Sequence, residues 1–219
     1  MMKFQPFTTP SSIEEASFAI IDSEVNPKPF QGAAWEIARR LIHSTADFDI
    51  LNHLELPDLA IKAGINALKS ACIIYTDTEM AKVGMSRFRL DRLNVKVESI
   101  LSLPQVVERA KELNSTRSCA AVELAWQKTQ IEKNQNVIWA IGNAPTALIR
   151  LVELINETSE DNLPRLIIGL PVGFVNASES KEFLCKQNKV PYLTLKGRKG
   201  GSTLAAATVN ALAELALRG

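Results

Sequence analysis

Short apolar runs and amphipathic segments alternate along most of the chain. Almost continuous apolar runs predict four buried strands, at residues 71–75, 136–141, 165–170 and 191–195. Apolar residues at helical spacing predict helices between and around these strands, at residues 59–69, 104–113, 118–132, 145–156, 179–188 and 203–217. Buried strands that alternate with amphipathic helices are typical of α/β proteins, in which helices cover both faces of a parallel sheet. We therefore expect an α/β fold with a mostly parallel sheet.

Two further helices are predicted before the first strand. Serines followed three positions later by glutamates, within residues 11–15, form a capping-box pattern that predicts a helix over residues 13–25. Two prolines within residues 26–29 end this helix. A second helix is expected over residues 31–42, and it ends at residues 43–45.

Length and composition are those of an ordinary soluble globular protein. The 219 residues, of which 46% are hydrophobic and 22% charged, are expected to form one domain spanning residues 1–219. A net charge of +1 argues against a nucleic-acid partner. No apolar run approaches the ~18 residues of a membrane span, and no secretory signal pattern opens the chain. We expect a cytoplasmic protein with no membrane partner.

Cysteine and histidine spacing predicts no metal site. The cysteines Cys72, Cys119 and Cys185 are widely spaced, and we expect buried, reduced thiols. The two histidines, His43 and His53, do not form an HExxH motif, so zinc is not expected. His53 has no special setting and is interpreted as a surface or loop residue.

Polar and small residues follow most of the predicted strands. They lie at residues 76–78, 142–145, 171–173 and 196–203. In open α/β sheets, ligands bind beyond the carboxyl ends of the strands. The sequence therefore predicts a functional site at this edge of the sheet.

His43 is a candidate general acid at the end of the second predicted helix. Histidine changes charge close to neutral pH, and the helix dipole or the acidic residues Asp47 and Asp49 could favour its protonated form. The alternative is that His43 caps the last helical carbonyls.

Several segments after the strands could contact a ligand, and two of them could bind anions. Asp77 could cap the next helix or bind a donor group of a substrate. The turn at residues 142–146 precedes a helix, with Asn143 or Ala144 at its cap, and is either an anion site or only a tight turn. In residues 196–203, glycines and cations precede another helix, and Ser202 or Thr203 could cap it.

Arginines in two other segments could also bind anions. Arg117 starts a predicted helix, and Arg87 lies in an arginine-rich segment at residues 86–92. Arginine is the usual bidentate partner of carboxylates. No phosphate-binding fingerprint occurs, so several anion-ready segments favour a substrate with several carboxylates.

Taken together, these segments resemble one known family, the precorrin-8X methylmutases, which include the cobalt-precorrin-8 methylmutases. The resemblance runs from Ser17 to Leu212, and the following segments carry it: 40–43 (RLIH), 77–80 (DTEM), 116–118 (TRS), 142–148 (GNAPTAL), 169–175 (GLPVGFV), 179–181 (ESK) and 197–202 (GRKGGS). It implies a Rossmann-like fold, a homodimer and no cofactor. The implied activity moves a methyl group from C11 to C12 of a corrin precursor, giving hydrogenobyrinic acid or its cobalt counterpart.

The resemblance also assigns roles to residues. His43 resembles the catalytic acid that protonates the macrocycle, which makes a [1,5]-sigmatropic methyl shift easier. Residues in or near the matched segments are expected to contact the substrate and its carboxylates: Ser17, Asp77, Met80, Arg87, Arg117, Ser118, Asn143, Arg198 and Lys199. Glu79 departs from the small or apolar residues common before Met80, which affects the charge of the pocket. The alternatives are a non-catalytic tetrapyrrole carrier and an α/β enzyme that acts on a phosphorylated substrate.

Overall fold

The structure, a computed structural model, describes residues 9–159 and 162–218. The helices within these residues are α1 (Pro10–Glu24), α2 (Gly32–Thr45), α3 (Asp58–Lys69), α4 (Glu79–Gly84), α5 (Arg87–Arg92), α6 (Val106–Glu112), α7 (Arg117–Glu132), α8 (Pro145–Glu157), α9 (Ala177–Lys186) and α10 (Ser202–Arg218). The strands are β1 (Leu54–Glu55), β2 (Ile73–Thr76), β3 (Lys96–Ser99), β4 (Val137–Ile141), β5 (Leu166–Gly169) and β6 (Tyr192–Leu195). Short 3-10 helices lie at Phe48–Asn52 and Ile100–Ser102.

The described strands form one sheet in the order β1-β6-β5-β4-β2-β3. Only β1 is antiparallel to its neighbour, and all other pairs are parallel. This confirms the prediction of a mostly parallel sheet. After β3 the chain crosses back to β4 on the other side of β2, so the direction of winding reverses between β2 and β4. A crevice at such a switch point is the usual ligand site of doubly wound sheets.

Successive residues of the central strands enter two different hydrophobic cores. In β2, Ile74 packs into the core that contains residues of α2, α3 and α10. The next residue, Tyr75, packs into the core built by α7, α8 and α9. Because side chains alternate across a strand, one buried strand feeds both cores. Helices therefore cover both faces of the sheet, as the apolar pattern predicts.

The predicted cap of the first helix is wrong. The N-cap is Thr9, whose hydroxyl accepts from the backbone N–H of Ser12 at 3.2 Å, and the Ser12 hydroxyl closes the box. Helix α1 thus starts at Pro10, whose fixed φ and missing N–H suit a first helical position. Helix α2 ends at Thr45, within the predicted end at residues 43–45.

Four short elements escape the sequence pattern. Strand β3 lies at the edge of the sheet, and its first residue, Lys96, is exposed, so it forms no continuous apolar run. Helices α4 and α5 have six residues each, too few to show helical periodicity. Strand β1 has two residues.

The cysteines are free, but only one is fully buried. Cys72 is buried, whereas Cys119 and Cys185 are half-buried, so the prediction of buried thiols is correct for Cys72 alone. Within the described ranges, no helix is long and apolar enough to cross a membrane.

Candidate active site

Asp77, at the end of β2, joins the two strands of the switch point. Its side chain is fully buried, and its carboxylate accepts the backbone N–H groups of Gly142, Asn143 and Ala144 at 2.7–2.8 Å. Burial raises the pKa of this carboxyl, and the three N–H groups oppose that shift. The next helix is capped by Thr78 instead, which accepts from the N–H of Ala81 at 3.1 Å. The structure therefore gives Asp77 a supporting role rather than the predicted cap of α4 or contact with a ligand.

The turn before α8 is consequently not an open anion site. The N–H groups of residues 142–144 already donate to Asp77, which leaves them unavailable to a phosphate or a carboxylate. Ala144 is the N-cap and Pro145 the first helical residue, as predicted. The Asn143 side chain is exposed and remains available to a ligand.

His43 does not cap its helix. The hydroxyl groups of Ser44 and Thr45 donate to the carbonyls of Arg40 and Leu41 at 2.8 and 2.9 Å. The backbone N–H of Ala46, in the left-handed region at φ 52°, donates to the carbonyl of Ile42. A backbone amide therefore takes the carbonyl of Ile42, and no described residue forms a hydrogen bond with the His43 side chain. The alternative of a capping histidine is therefore wrong.

His43 lines a groove of about 240 Å³ between α1 and α2. Its walls contain three polar side chains, from Ser17, Glu24 and His43, among apolar residues. Ser17 is half-buried, and no described residue bonds with its hydroxyl. The groove thus presents a hydroxyl group and an imidazole, both free to bind, on a largely apolar surface.

The acidic residues after α2 do not contact His43. Asp47 and Asp49 both pair with Lys199 Nζ, at 2.6 and 2.9 Å. These carboxylates raise the pKa of Lys199. Their pairing with Lys199 corrects the expectation that they hold the imidazole, and it ties the exit of α2 to the turn before α10.

This turn, residues 196–201, is fixed by its backbone. A Cβ atom on Gly200 would lie 2.3 Å from the carbonyl oxygen of Leu170, so only glycine fits. The N–H of Gly201 donates to the same carbonyl at 2.8 Å.

Lys181, which is fully buried in α9, donates from Nζ to the carbonyl of Lys199 at 2.7 Å. Burial lowers the pKa of Lys181 to about 8. The sequence interpretation assigns Lys181 no role of its own, although it belongs to the ESK segment.

The predicted arginines are available to carboxylates. Arg87, Arg117 and Arg198 are exposed, and none pairs with a carboxylate in the described ranges. By contrast, six other arginines do form such pairs, namely Arg39, Arg40, Arg89, Arg109, Arg150 and Arg218. The Arg198 guanidinium lies 5.6 Å from the ring centre of Phe174.

Most of the predicted residues lie along the carboxyl edge of the sheet. Thr78 bonds with Ser202 at 2.8 Å, and Thr116, the cap of α7, bonds with Thr146 at 2.9 Å. These bonds join the starts of α4 and α10 and the starts of α7 and α8. They place Arg117 and the half-buried Ser118 beside the turn that contains Asn143.

Met80 and Arg87 lie on neighbouring grooves. Met80, 71% exposed, lines a groove of about 380 Å³ with Ser44 of α2. Arg87 lines another, of about 700 Å³, which shares Val83 with the first.

His53, as predicted, is exposed. No cluster of three or more histidine, cysteine or acidic residues in the described ranges could hold a metal ion.

The fold and the site define a doubly wound α/β protein with its exposed polar and cationic residues at the carboxyl edge of the sheet. The model of the precorrin-8X methylmutase family matches residues 12–215. The chain therefore belongs to the precorrin-8X methylmutase family, which consists of isomerases of cobalamin biosynthesis. This confirms the resemblance seen in the sequence.

Named relatives cover nearly the whole chain. The cobalt-precorrin-8 methylmutase of Leptospira interrogans is 43% identical over 92% of this chain and 91% of its own length. That of Priestia megaterium is 41% identical over 98% and 92%. The crystal structure of precorrin-8x methyl mutase from Thermus thermophilus, 40% identical, superimposes with a TM-score of 0.86 over 95% of this chain and 97% of the other.

Proposed function

We propose that this protein moves a methyl group from C11 to C12 of precorrin-8X or of its cobalt complex, with His43 as the acid. The observation that carries the proposal is the state of His43, whose side chain lies in a groove without a hydrogen bond to any described residue. The imidazole forms no hydrogen bond with a carbonyl of α2, and a backbone amide takes the carbonyl of Ile42, so His43 does not cap the helix. A histidine in this position is suited to proton transfer.

The chemistry needs only one proton donor. Protonation by His43 makes the conjugated macrocycle electron-poor, which lowers the barrier to a [1,5]-sigmatropic shift. The methyl group leaves C11 as it bonds to C12, so no covalent enzyme intermediate forms. Because an isomerisation conserves atoms, the proton given by His43 is balanced by one that the rearranged ring releases.

Charged residues around the grooves support a substrate with several carboxylates. Arg87, Arg117 and Arg198 are exposed and free of ion pairs with described residues, so they can bind carboxylates without breaking an ion pair. Lys199 differs, because it must first leave Asp47 and Asp49. We therefore assign the three arginines the larger part in binding the substrate.

We further propose that the protein works in the cytoplasm as a homodimer.

Conversion of the pigment tests the proposed function. The protein is incubated with precorrin-8X and separately with cobalt-precorrin-8, and the absorption spectrum of the product is followed. His43→Ala should lower kcat by about 10²-fold or more, since general acid catalysis contributes typically 10²–10⁴-fold. The exposed His53 provides a matched control, and His53→Ala should keep the rate of the unchanged protein.

Each other outcome rejects a defined part of the proposal. Full activity in His43→Ala would remove the acid role and leave the methylmutase activity standing. Tight binding of the pigment without conversion, equal in the unchanged protein and in His43→Ala, would favour a non-catalytic tetrapyrrole carrier. If neither substrate binds, the proposed function is wrong.

A further inference from the structure

Two facing rows of side chains follow the contact between α1 and α2, and one of them ends at His43, which lines the groove. Trp35, Arg39 and His43 are spaced four residues apart on α2, so they share one face of the helix. Phe18 and Asp22, also four apart, lie on α1. The two rows meet where α1 packs on α2.

Asp22 anchors this contact. Its carboxylate accepts from Trp35 Nε1 and from Arg39 Nη1, both at 2.7 Å, and Lys28 Nζ lies 2.8 Å away. Burial opposes ionisation of Asp22, but the hydrogen bonds from Lys28, Trp35 and Arg39 outweigh it and lower its pKa. The Arg39 guanidinium is thereby fixed at one place on α2.

Arg39 in turn fixes a phenylalanine. Its guanidinium carbon lies 4.3 Å from the centre of the Phe18 ring, within the range of a cation–π contact. Phe18 is half-buried and packs against the core. The Phe18 ring meets the His43 ring with centres 5.5 Å apart and planes at 73°, an edge-to-face arrangement.

We infer that Phe18, held by Arg39 and Asp22, is a positioning residue that orients the His43 imidazole in its groove. No described residue forms a hydrogen bond with the imidazole, so packing alone sets the direction of its ring. Phe18 contacts this ring and does not line the groove. The significance for catalysis rests on the proposed function, because an acid must point at the atom that it protonates.

Histidine NMR tests the contact between Phe18 and His43 without any substrate. The chain contains only two histidines, so His43→Ala assigns their ring signals. Phe18→Leu should move the His43 signals, since the ring current of Phe18 is lost, and should leave those of His53 in place. Phe30→Leu removes another half-buried aromatic ring of the same core and serves as the control. Unmoved His43 signals in Phe18→Leu, or an equal shift in Phe30→Leu, would overturn the inference.

Kinetics test the consequence for catalysis. Phe18→Leu should lower kcat by about tenfold to a hundredfold, as expected for a misplaced catalytic group, with KM little changed. Phe18→Tyr keeps the ring and should restore most of kcat. In a His43→Ala background, Phe18→Leu should lower kcat no further, because its effect acts through His43.

The two sets of measurements separate failure of the inference from failure of the proposed function. An equal loss of kcat from Phe18→Leu with and without His43 would show general structural damage, and it would overturn the positioning role. If His43→Ala is fully active, the acid of the proposed function is wrong, and the NMR shifts still decide whether Phe18 packs against the His43 ring.

Discussion

Asp77 holds the carboxyl edge of the sheet together at the point where the winding reverses. The carboxylate reaches across from β2 and accepts the N–H groups of residues 142–144 in the turn before α8, of which those of Gly142 and Ala144 are buried. A buried carboxylate is costly alone, and these charge-assisted bonds offset that cost. The residue thereby fixes the position of the turn that carries Asn143.

Asp77→Asn should destabilise the protein. An amide presents an NH₂ group where a carboxylate oxygen now accepts, so at least one buried N–H loses its acceptor. We expect the free energy of unfolding to fall by about 1–3 kcal/mol, measured by urea unfolding. Asp91→Asn, at an exposed position of α5, is the matched control. Equal stability losses in the two variants would contradict the assigned role.

Single residues also show what the sequence can predict of the candidate site. His43 is marked as a candidate in the sequence by its place in the RLIH segment at a helix end. The competing cap could have been doubted locally, because serine and threonine hydroxyls often bond carbonyls three or four residues earlier. Phe18 could not have been found in this way, since its contact with His43 depends on how α1 packs on α2.

At the scale of elements, Lys181 links α9 to the turn between β6 and α10. The only hydrogen bond of its side chain with a described residue is the one to the carbonyl of Lys199. Burial of the charged ammonium group is costly, and the lowered pKa of Lys181 reflects this cost. The turn so held presents Lys199 to the acidic residues after α2. The buried side chain of Lys181 in α9 therefore supports the contact between the turn before α10 and the segment after α2.

Lys181 should make stability depend on pH in the alkaline range. Its pKa falls from 10.5 to about 8 on folding, so between these values the unfolded chain binds more protons than the folded one. Below about 8 both states are charged and the burial cost is fully present. Stability therefore rises as pH increases from about 8 to 10.5, by something on the order of 1–3 kcal/mol.

Urea unfolding at pH 7.5 and 10, with Lys181→Met as reference, isolates this contribution, because all other groups titrate alike in both proteins. The unchanged protein should gain stability relative to Lys181→Met at the higher pH. Lys186→Met, at an exposed position of the same helix, should instead follow the unchanged protein. Parallel pH curves for the unchanged protein and Lys181→Met would rule out the effect.

The predictability of the elements follows their burial. The central strands and the long helices were found because a buried strand is a continuous apolar run and a packed helix has an apolar stripe. The edge strand β3 and the short helices α4 and α5 carry too little of either pattern. These elements carry Met80 and Arg87, so the geometry of that part of the site required the structure.

At the scale of the whole molecule, exposed apolar residues identify a surface suited to association. On α4, Met80 and Val83 are 71% and 79% exposed, and on the adjacent α5, Phe88 is 73% exposed. Large apolar side chains grouped on one surface are typical of protein interfaces. Met80 is also an expected substrate contact, so an interface here would bring a second subunit close to the site.

Sedimentation tests whether this surface forms the proposed homodimer. The chain, of 24.1 kDa, should sediment at twice that mass. Val83→Asp places a charge in the interface, and burial of an unpaired charge should shift the equilibrium towards the monomer at micromolar concentration. Ile131→Asp, at an 82% exposed position near the end of α7, is the matched control and should remain dimeric. A monomeric unchanged protein would disprove the homodimer, whereas dissociation of neither variant would place the interface on another surface.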